Sequence, residues 1–324
     1  MRIGIAGAGA IGGLLGVPLA NQGHSVSVLA RGQTLSALRT QGWLLDRGGE
    51  IFQAEIAASD NASELGPQDI LLIAVKGPSL AQVSRDAAHM IGPETIIIPA
   101  MNGVPWWFLL AGRAALPPTV LKSVDPDEAV ARAIPLETVL GCVVHASAQV
   151  TAPGAVKHQG GNKLVFGEPN GTSSQRLKII TDLFAGAGFE TVASDNIQRD
   201  IWYKLWGNMT MNPISAMAGA TCDRIIDDEL VHEFVLRVMA EAAEIGKHIG
   251  CEIHESGGDR IAIARKLGVF KTSMLQDAEA GRKLEIDALL AAPQEIARLV
   301  GVPTPNLDAL LGLTRLFARS HELY

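Results

Sequence analysis

Short apolar runs alternate with amphipathic segments through the N-terminal part of the chain. The apolar runs have the length of strands and lie at 2–6, 25–30, 70–75 and 95–99. Segments with helical periodicity separate some of them, at 10–22 and 79–90. Buried strands that alternate with helices build βαβ units, in which the strands are parallel and the crossovers right-handed. The pattern therefore predicts an α/β fold with a parallel sheet.

The pattern changes near residue 140. Between 140 and 167, apolar and polar residues alternate on both sides of a Pro153-Gly154 turn. This alternation predicts antiparallel strands that are added to the sheet. A helix at 174–184 and a short strand at 190–193 are predicted to follow.

Beyond Ser194, helical periodicity dominates as far as the C-terminus. A chain of 324 residues is long enough for about two domains of roughly 150 residues each. We therefore expect an N-terminal α/β domain at 1–194 and a C-terminal all-helical domain at 195–324.

Composition and charge exclude several classes of protein. Hydrophobic residues make up 48% of the chain and charged residues 19%, which excludes intrinsic disorder. The net charge of −7 argues against nucleic acid as a partner, because phosphates bind basic surfaces. We find no apolar window of about 18 residues, so we expect no membrane span. The 3 cysteines lack metal-ligand spacing, so we expect no metal, reduced thiols and a cytoplasmic protein.

A glycine-rich loop follows the first predicted strand and opens the first predicted helix. It has the spacing G-x-G-x-x-G, with Gly7, Gly9 and Gly12 at the glycine positions and Ala10 and Ile11 between the last two. In this context the glycines permit a tight turn, a close approach to a pyrophosphate and close helix–strand packing. The helix N-terminus offers free N–H groups to the phosphates. The loop predicts a Rossmann-type dinucleotide site, and the alternative is a glycine-rich turn without a ligand.

The residue after the second strand indicates which dinucleotide is bound. An acidic residue there binds the ribose 2′-hydroxyl of NAD, whereas this chain has Arg31. A guanidinium pairs well with a 2′-phosphate. Lys76 follows the strand at 70–75 and would add a second positive charge at the same sheet edge, unless it is a solvated loop lysine. We therefore predict NADPH as the cofactor.

One helix of the C-terminal domain carries a polar stripe. Lys204, Asn208 and Asn212 are spaced four residues apart, on a helix whose other side holds Ile201, Trp202, Leu205 and Trp206. A lysine and two amides in line, among large apolar residues, are candidates for substrate chemistry. The alternative is the solvated face of an amphipathic helix. Pro213 is expected to end or kink the helix.

A second polar group lies further along the chain. Ser273 and Gln276 have the spacing of a capping box, so Ser273 is predicted as a helix N-cap and also as a candidate ligand. Glu285 is either a functional carboxylate or an acidic residue in the first turn of a helix.

These segments together resemble the ketopantoate reductase (2-dehydropantoate 2-reductase) family over nearly the whole chain. The resemblance rests on the order and spacing of the glycine loop, Arg31, Val75-Lys76, Asn102-Gly103, Trp202 to Leu205 with Asn208 and Asn212-Pro213, Ser273 to Asp277, and Glu285 to Asp287. It implies an N-terminal Rossmann domain, a C-terminal helical domain and an active site in the cleft between them. It also implies NADPH-dependent reduction of a 2-oxo acid to a D-type 2-hydroxy acid.

The resemblance also implies roles for individual residues. Lys204 would be the general acid, and Glu285 would bind on the hydroxyl side of the substrate. Asn102 would lie where nicotinamide and substrate meet. The remaining substrate-binding residues would be Asn208, Asn212 and Ser273.

Two departures bear on the substrate. Pantoate-forming members usually carry asparagines where this chain has Ala220–Asp223 and Phe270. Three hypotheses follow: reduction of 2-dehydropantoate to pantoate on the route to pantothenate and coenzyme A, reduction of a different 2-oxo acid, or a catalytically silent NADP-binding module. The apolar surface of the helical domain is compatible with a homodimer, and equally with a monomer core.

Overall fold

The computed structural model describes residues 1–112, 116–266 and 268–324, which form two compact units. One unit comprises 1–101 and 129–197, and the other comprises 102–128 and 198–324. The strands are β1 (Arg2–Ala6), β2 (Ser25–Leu29), β3 (Trp43–Arg47), β4 (Glu50–Ala54), β5 (Ala57–Ser59), β6 (Gln68–Ile73), β7 (Ile91–Pro99), β8 (Gly141–Ala152), β9 (Ala155–Gly167) and β10 (Glu190–Ser194).

Helices occur in both units. They are α1 (Ala10–Asn21), α2 (Gly32–Gln41), α3 (Ala62–Leu65), α4 (Leu80–Asp86), α5 (Ala129–Ala133), α6 (Gln175–Gly186), α7 (Ile197–Ala218), α8 (Cys222–Asp227), α9 (Glu229–His248), α10 (Gly257–Arg265), α11 (Ser273–Glu279), α12 (Ala292–Val300) and α13 (Pro305–Ser320). Within the described parts of the chain, no helix is both long and apolar enough to cross a bilayer.

A five-stranded parallel sheet forms the centre of the first unit. Its strand order is β5-β2-β1-β6-β7, so β1 lies between β2 and β6. The buried faces of these strands account for their nearly continuous apolar sequences, since helices cover a parallel sheet on both sides. The predicted α/β fold with a parallel N-terminal sheet and a helical C-terminal region is confirmed.

The antiparallel strands belong to a second sheet, so the prediction that they extend the parallel sheet is wrong. β8 and β9 form a long hairpin, and β9 continues through β3 to β4 on one side and pairs with β10 on the other. The alternating pattern identifies strands but not their partners, because Leu44 of β3 pairs with Ala155 of β9, far away in sequence.

Helix α1 packs against both sheets, and its glycines make this possible. A Cβ at Gly13 would lie 2.9 Å from the indole nitrogen of Trp43, and a Cβ at Gly16 would lie 2.8 Å from the same ring. Trp43 is fully buried and comes from β3 of the second sheet. Helix α1, which follows the glycine loop, is therefore held in place by its packing against the buried Trp43 of the second sheet.

In the second unit, two tryptophans anchor α7 on α9. The indole N–H groups of Trp202 and Trp206 donate to the carbonyls of Ala242 and Met239, at 3.0 and 2.7 Å. Gly246 admits the first ring, since a Cβ there would lie 2.8 Å from the indole nitrogen of Trp202. The apolar side of α7 therefore faces the core, as its periodicity predicts.

Segment 102–128 groups with the helical unit, whereas the predicted division at 194/195 placed it in the N-terminal domain. The N–H of Val104 donates to the carbonyl of Ala288 at 2.9 Å. The Glu295 carboxylate accepts from the backbone N–H groups of Lys122 and Ser123, each at 2.8 Å. These contacts join residues more than 150 positions apart, which a local pattern does not reveal.

Pro213 does not end α7, which continues to Ala218. Pro293 lies in the first turn of α12, directly after a π-helical segment at Asp287–Ala291, so the helical path also continues there.

Candidate active site

The glycine loop has the geometry that a dinucleotide requires. Gly7 has a φ of +115°, and a Cβ there would lie 2.6 Å from the carbonyl oxygen of Ala74. A Cβ at Gly12 would lie 2.1 Å from the carbonyl oxygen of Gly7, so only glycine lets α1 start this close to β1.

The middle glycine of the loop leaves space for a ligand. Gly9 is the N-cap of α1 and provides no side-chain cap, and a Cβ there would meet nothing within 4 Å. The first N–H groups of α1, including those of Ala10 and Ile11, therefore begin at an open cradle. The residues present fit the pyrophosphate of a dinucleotide.

Arg31 lies at the N-cap of α2, directly beyond β2, and its side chain is 63% exposed. Its guanidinium forms an ion pair with the Asp86 carboxylate at the end of α4. Asp86 also accepts a hydrogen bond of 2.7 Å from the Gln82 amide. Lys76 is the N-cap of a short 3₁₀ turn that follows β6, and it is half-buried. Both predicted cationic residues thus lie just beyond the carboxyl ends of parallel strands.

In the second unit, Lys204 and Asn102 are in direct contact. The Nζ of Lys204 donates to Oδ1 of Asn102 at 2.7 Å. Gly103 holds the Asn102 segment against the chain at Ala288, where a Cβ would lie 2.7 Å from backbone and side-chain atoms. Its φ of +80° also favours glycine. Ala288 follows Glu285 by three residues, so the Asn102 segment packs on the chain that carries this predicted carboxylate.

The polar stripe of α7 is not a solvated face. Asn212 is 6% exposed, and Lys204 and Asn208 are half-buried. Within the described chain, the amides of Asn208 and Asn212 make no hydrogen bond to other protein groups, which leaves them available to a ligand. A half-buried row of one ammonium and two amides suits a small polar substrate with a carbonyl and a carboxylate.

Ser273 is not the N-cap of its helix, which corrects the capping prediction. The cap is Thr272, whose hydroxyl accepts from the N–H of Leu275 at 3.1 Å, and Ser273 is the exposed first residue of α11. Its hydroxyl is therefore not needed for capping. Glu285 is half-buried and precedes the helical turn that starts at Ile286. Neither Ser273 nor Asn208 is joined to Lys204 by a hydrogen bond within the described residues.

Two family models cover most of the chain. The model described as ketopantoate reductase PanE/ApbA matches residues 3–171, and the model described as ketopantoate reductase PanE/ApbA C terminal matches residues 196–318. The chain belongs to the ketopantoate reductase family.

Individual ketopantoate reductases resemble the chain over its full length. A 2-dehydropantoate 2-reductase from Mesorhizobium japonicum is 40% identical over 325 residues, with 100% of each chain covered. A crystal structure provisionally named ketopantoate reductase, from Ralstonia solanacearum, is 52% identical with a TM-score of 0.96 and covers 100% of this chain and 99% of its own. D-mandelate dehydrogenase, crystallised with NADH and anilino(oxo)acetate, shares the fold at a TM-score of 0.86 and 22% identity, with 100% of both chains covered.

Membership of the ketopantoate reductase family makes the protein an oxidoreductase that acts on a CH–OH group. The family uses a nicotinamide dinucleotide cofactor, in agreement with the geometry of the glycine loop. The expected Rossmann-like region and the predicted family are therefore confirmed.

The two departures from pantoate-forming reductases lie next to each other. The N–H of Cys222 donates to the carbonyl of Phe270 at 3.1 Å, which ties the loop at 220–223 to the segment before α11. The Ser215 hydroxyl donates to the carbonyl of Ala220 at 2.5 Å and holds the start of that loop. Both sequence changes therefore affect one place in the helical unit.

Sequence reasoning missed some polar residues that lie beside the predicted ones. Asp86, the ion-pair partner of Arg31, lies on α4, and the periodicity of this segment predicted a helix but no function. Tyr203 lies beside Lys204 on α7 and donates through its hydroxyl to the Glu255 carboxylate. The Arg260 guanidinium lies over the Tyr203 ring, 5.3 Å from its centroid. No sequence spacing connects Tyr203 with α10, so only the packed structure shows this group.

Proposed function

We propose that the protein uses NADPH to reduce a 2-oxo acid to a D-type 2-hydroxy acid, with 2-dehydropantoate as the substrate and pantoate as the product. This reaction is a step towards pantothenate and coenzyme A. The contact between Lys204 and Asn102 is the observation that carries the proposal. It orients an ammonium group on the half-buried polar stripe of α7, in a chain with an open dinucleotide loop.

Bound NADPH would supply the hydride, and its pyrophosphate would lie on the N–H groups at the start of α1. Arg31 and Lys76 would pair with the 2′-phosphate, because a guanidinium and an ammonium at the ends of the two strands that flank β1 match its charge. Preference for NADPH over NADH is part of the proposal, since relatives of this fold include a structure with NADH.

Lys204 would act as the general acid. A hydride that reaches the keto carbon places negative charge on its oxygen, and a positioned ammonium both stabilises that charge and supplies the proton. Asn102 accepts one Lys204 N–H through its side-chain oxygen, which directs the ammonium. The amides of Asn208 and Asn212 and the hydroxyl of Ser273 would bind the substrate.

Glu285 would accept a hydrogen bond from the hydroxyl side of the substrate. An ionised carboxylate accepts only, so it favours the hydroxyl group of a 2-hydroxy acid over the carbonyl of a 2-oxo acid. Asn102 would in addition contact the nicotinamide. These assignments use each predicted site residue in a role that its donors and acceptors permit.

A different 2-oxo acid is the second candidate. Phe270 and the 220–223 loop meet through the Cys222–Phe270 hydrogen bond, at the place where pantoate-forming members carry amides. An aromatic ring there favours a substrate with an apolar or aromatic side chain. A silent NADP-binding module would have no use for a half-buried row of Lys204, Asn208 and Asn212. The cytoplasmic location and the homodimer stay predictions.

A panel of 2-oxo acids, followed by the loss of NADPH absorbance, tests the proposal. The panel contains 2-dehydropantoate, 2-oxoisovalerate and phenylglyoxylate. Consumption of NADPH with at least one acid supports the reductase function, and the ranking of kcat/KM separates the two candidates. A protein that binds NADPH and reduces no member of the panel contradicts the proposed function.

A further inference from the structure

Arg260 on α10 is a cation that the reaction scheme above leaves without a role. Its guanidinium lies over the Tyr203 ring on α7, and its Nε is buried and donates to no described protein atom. A buried N–H without an acceptor is unusual, because each such group loses its hydrogen bonds to water. The side chain therefore has hydrogen-bonding capacity that no described protein group uses, and its charge is met only by the Tyr203 ring.

The nearby carboxylates form no ion pair with Arg260 within the described chain. Glu255 accepts from the Tyr203 hydroxyl, and Asp259 accepts from the Ser256 hydroxyl at 2.6 Å. Burial and the bond to Glu255 raise the pKa of Tyr203, so its phenol stays neutral and is no counter-ion. By contrast, Arg265 of the same helix is paired with Asp227 at 2.5 Å. Because Arg260 has no ion-pair partner among the described residues, an external anion would pair with its guanidinium.

Helix α7 makes room for this guanidinium at one position. Gly207 lies inside α7, where glycine weakens a helix, and a Cβ there would lie 3.1 Å from a terminal nitrogen of Arg260. Gly207 follows Lys204 by three residues, so the two positions are neighbours on the helix surface, about 4.5 Å apart along the axis. The guanidinium is therefore placed beside the end of the polar stripe that holds the ammonium.

The carboxylate of a 2-oxo acid is bonded directly to the keto carbon, so its binding group must lie next to the group that contacts the keto oxygen. We propose that Arg260 binds the substrate carboxylate and selects 2-oxo acids over neutral ketones. This inference rests on the proposed function and adds a specificity-determining residue to it. Arginine is suited to the task because its planar N–H donors match a carboxylate.

The first test compares Arg260→Gln with Arg265→Gln, which removes the same charge from the same helix. For Arg260→Gln we expect the KM of the preferred 2-oxo acid to rise about 10- to 100-fold, with kcat and the KM of NADPH within a few-fold of wild type. Arg265→Gln should leave all constants unchanged. Arg260→Lys should restore part of the loss, because it keeps the charge but not the planar donors.

A neutral substrate separates carboxylate binding from a structural effect. The methyl ester of the same 2-oxo acid should react equally well with wild type and with Arg260→Gln. An equal loss on acid and ester, an unchanged KM for the acid, or an effect confined to NADPH would each overturn the assignment.

A third measurement needs no variant. Phenylglyoxal modifies accessible arginines, and peptide mapping reports each site in the wild-type protein. We expect 2-dehydropantoate, but not its methyl ester, to protect Arg260, while Arg265 is modified equally in all samples. The same extent of modification at Arg260 with and without the acid contradicts the proposal. This result is distinct from failure of the proposed function, which the turnover panel reports.

Discussion

Lys204 donates from Nζ to Oδ1 of Asn102 at 2.7 Å, and this bond joins two segments separated by 102 positions in the chain. An ammonium on a long side chain has many rotamers, and a fixed acceptor reduces them. Gly103 fixes the acceptor in turn, since it lies directly against Ala288. The ammonium of Lys204, the proton donor of the proposed reaction, is thus oriented by α7 and by Asn102, whose position depends on the packing of Gly103 against Ala288.

Replacement of Lys204 by alanine tests the general acid. Removal of a positioned proton donor typically reduces the rate by about 10²–10⁴-fold, so Lys204→Ala should lose kcat by that order. NADPH binding, measured by fluorescence titration, should persist, because the glycine loop and Arg31 are unchanged. Lys204→Arg should not restore the rate, since a guanidinium does not release its proton near neutral pH.

A folded Lys204→Ala protein that binds NADPH and reduces its substrate within a few-fold of the wild-type rate would contradict the general-acid role. Asn208→Ala is the matched control on the same stripe, and it should raise KM more than it lowers kcat.

The Asn102 contact predicts a change in the pH profile. In Asn102→Asp, a carboxylate replaces the amide oxygen beside the ammonium and favours its charged form. The alkaline limb of kcat/KM, where the general acid loses its proton, should move to higher pH than in wild type. Asn102→Ala should lower kcat/KM without this upward shift. An identical alkaline limb in wild type and Asn102→Asp would show that Lys204 does not control it.

The ion pair of Arg31 with Asp86 predicts opposite effects on cofactor choice. Arg31→Ala should weaken the binding of NADPH by at least about 1.5 kcal/mol, or roughly tenfold, and should weaken the binding of NADH much less. Asp86→Asn should strengthen the binding of NADPH relative to that of NADH, because Arg31 no longer forms an ion pair with a carboxylate. The ratio of the two KM values measures both effects. Equal changes for the two cofactors would show that Arg31 does not bind the 2′-phosphate.

The thiol of Cys222 should be unreactive in the native protein. Burial, together with the negative charge of Asp223, raises the pKa of Cys222 from 9.0 to about 12. At pH 8.5 the native protein should therefore label slowly with iodoacetamide at this residue, and the protein unfolded in guanidinium should label quickly. Mass spectrometry of the tryptic peptides provides the comparison. Rapid labelling of the native protein would contradict the buried position of Cys222.

The same shift has a consequence for alkaline stability. The pKa of Cys222 in the folded protein lies above its unfolded value. The contribution of the neutral thiol to the free energy of unfolding is therefore complete below about pH 9, and it is lost as the pH rises towards 12. The urea midpoint of wild type should thus fall more steeply over this range than that of Cys222→Ala. Parallel slopes for the two proteins would argue against a raised Cys222 pKa.

The geometry of the glycine loop could be predicted from the sequence because its constraints are local. A turn that requires positive φ at Gly7 and close packing at Gly12 selects glycine at those positions within a few residues of one strand. The stripe of Lys204, Asn208 and Asn212 follows from the helical period alone. Such features depend on neighbouring residues, so the sequence was sufficient to predict them, together with the alternation of strands and helices.

The tertiary structure decided which of these features meet. Asn102 contacts Lys204 because segment 102–128 packs on helices that follow it by many residues, and β8 joins a second sheet because β9 pairs with β3. Asp86 reaches Arg31 and Arg260 reaches Tyr203 in the same way. The free energy of such contacts is summed over the packing of whole units, whereas periodicity and turn preferences report only on a few adjacent residues.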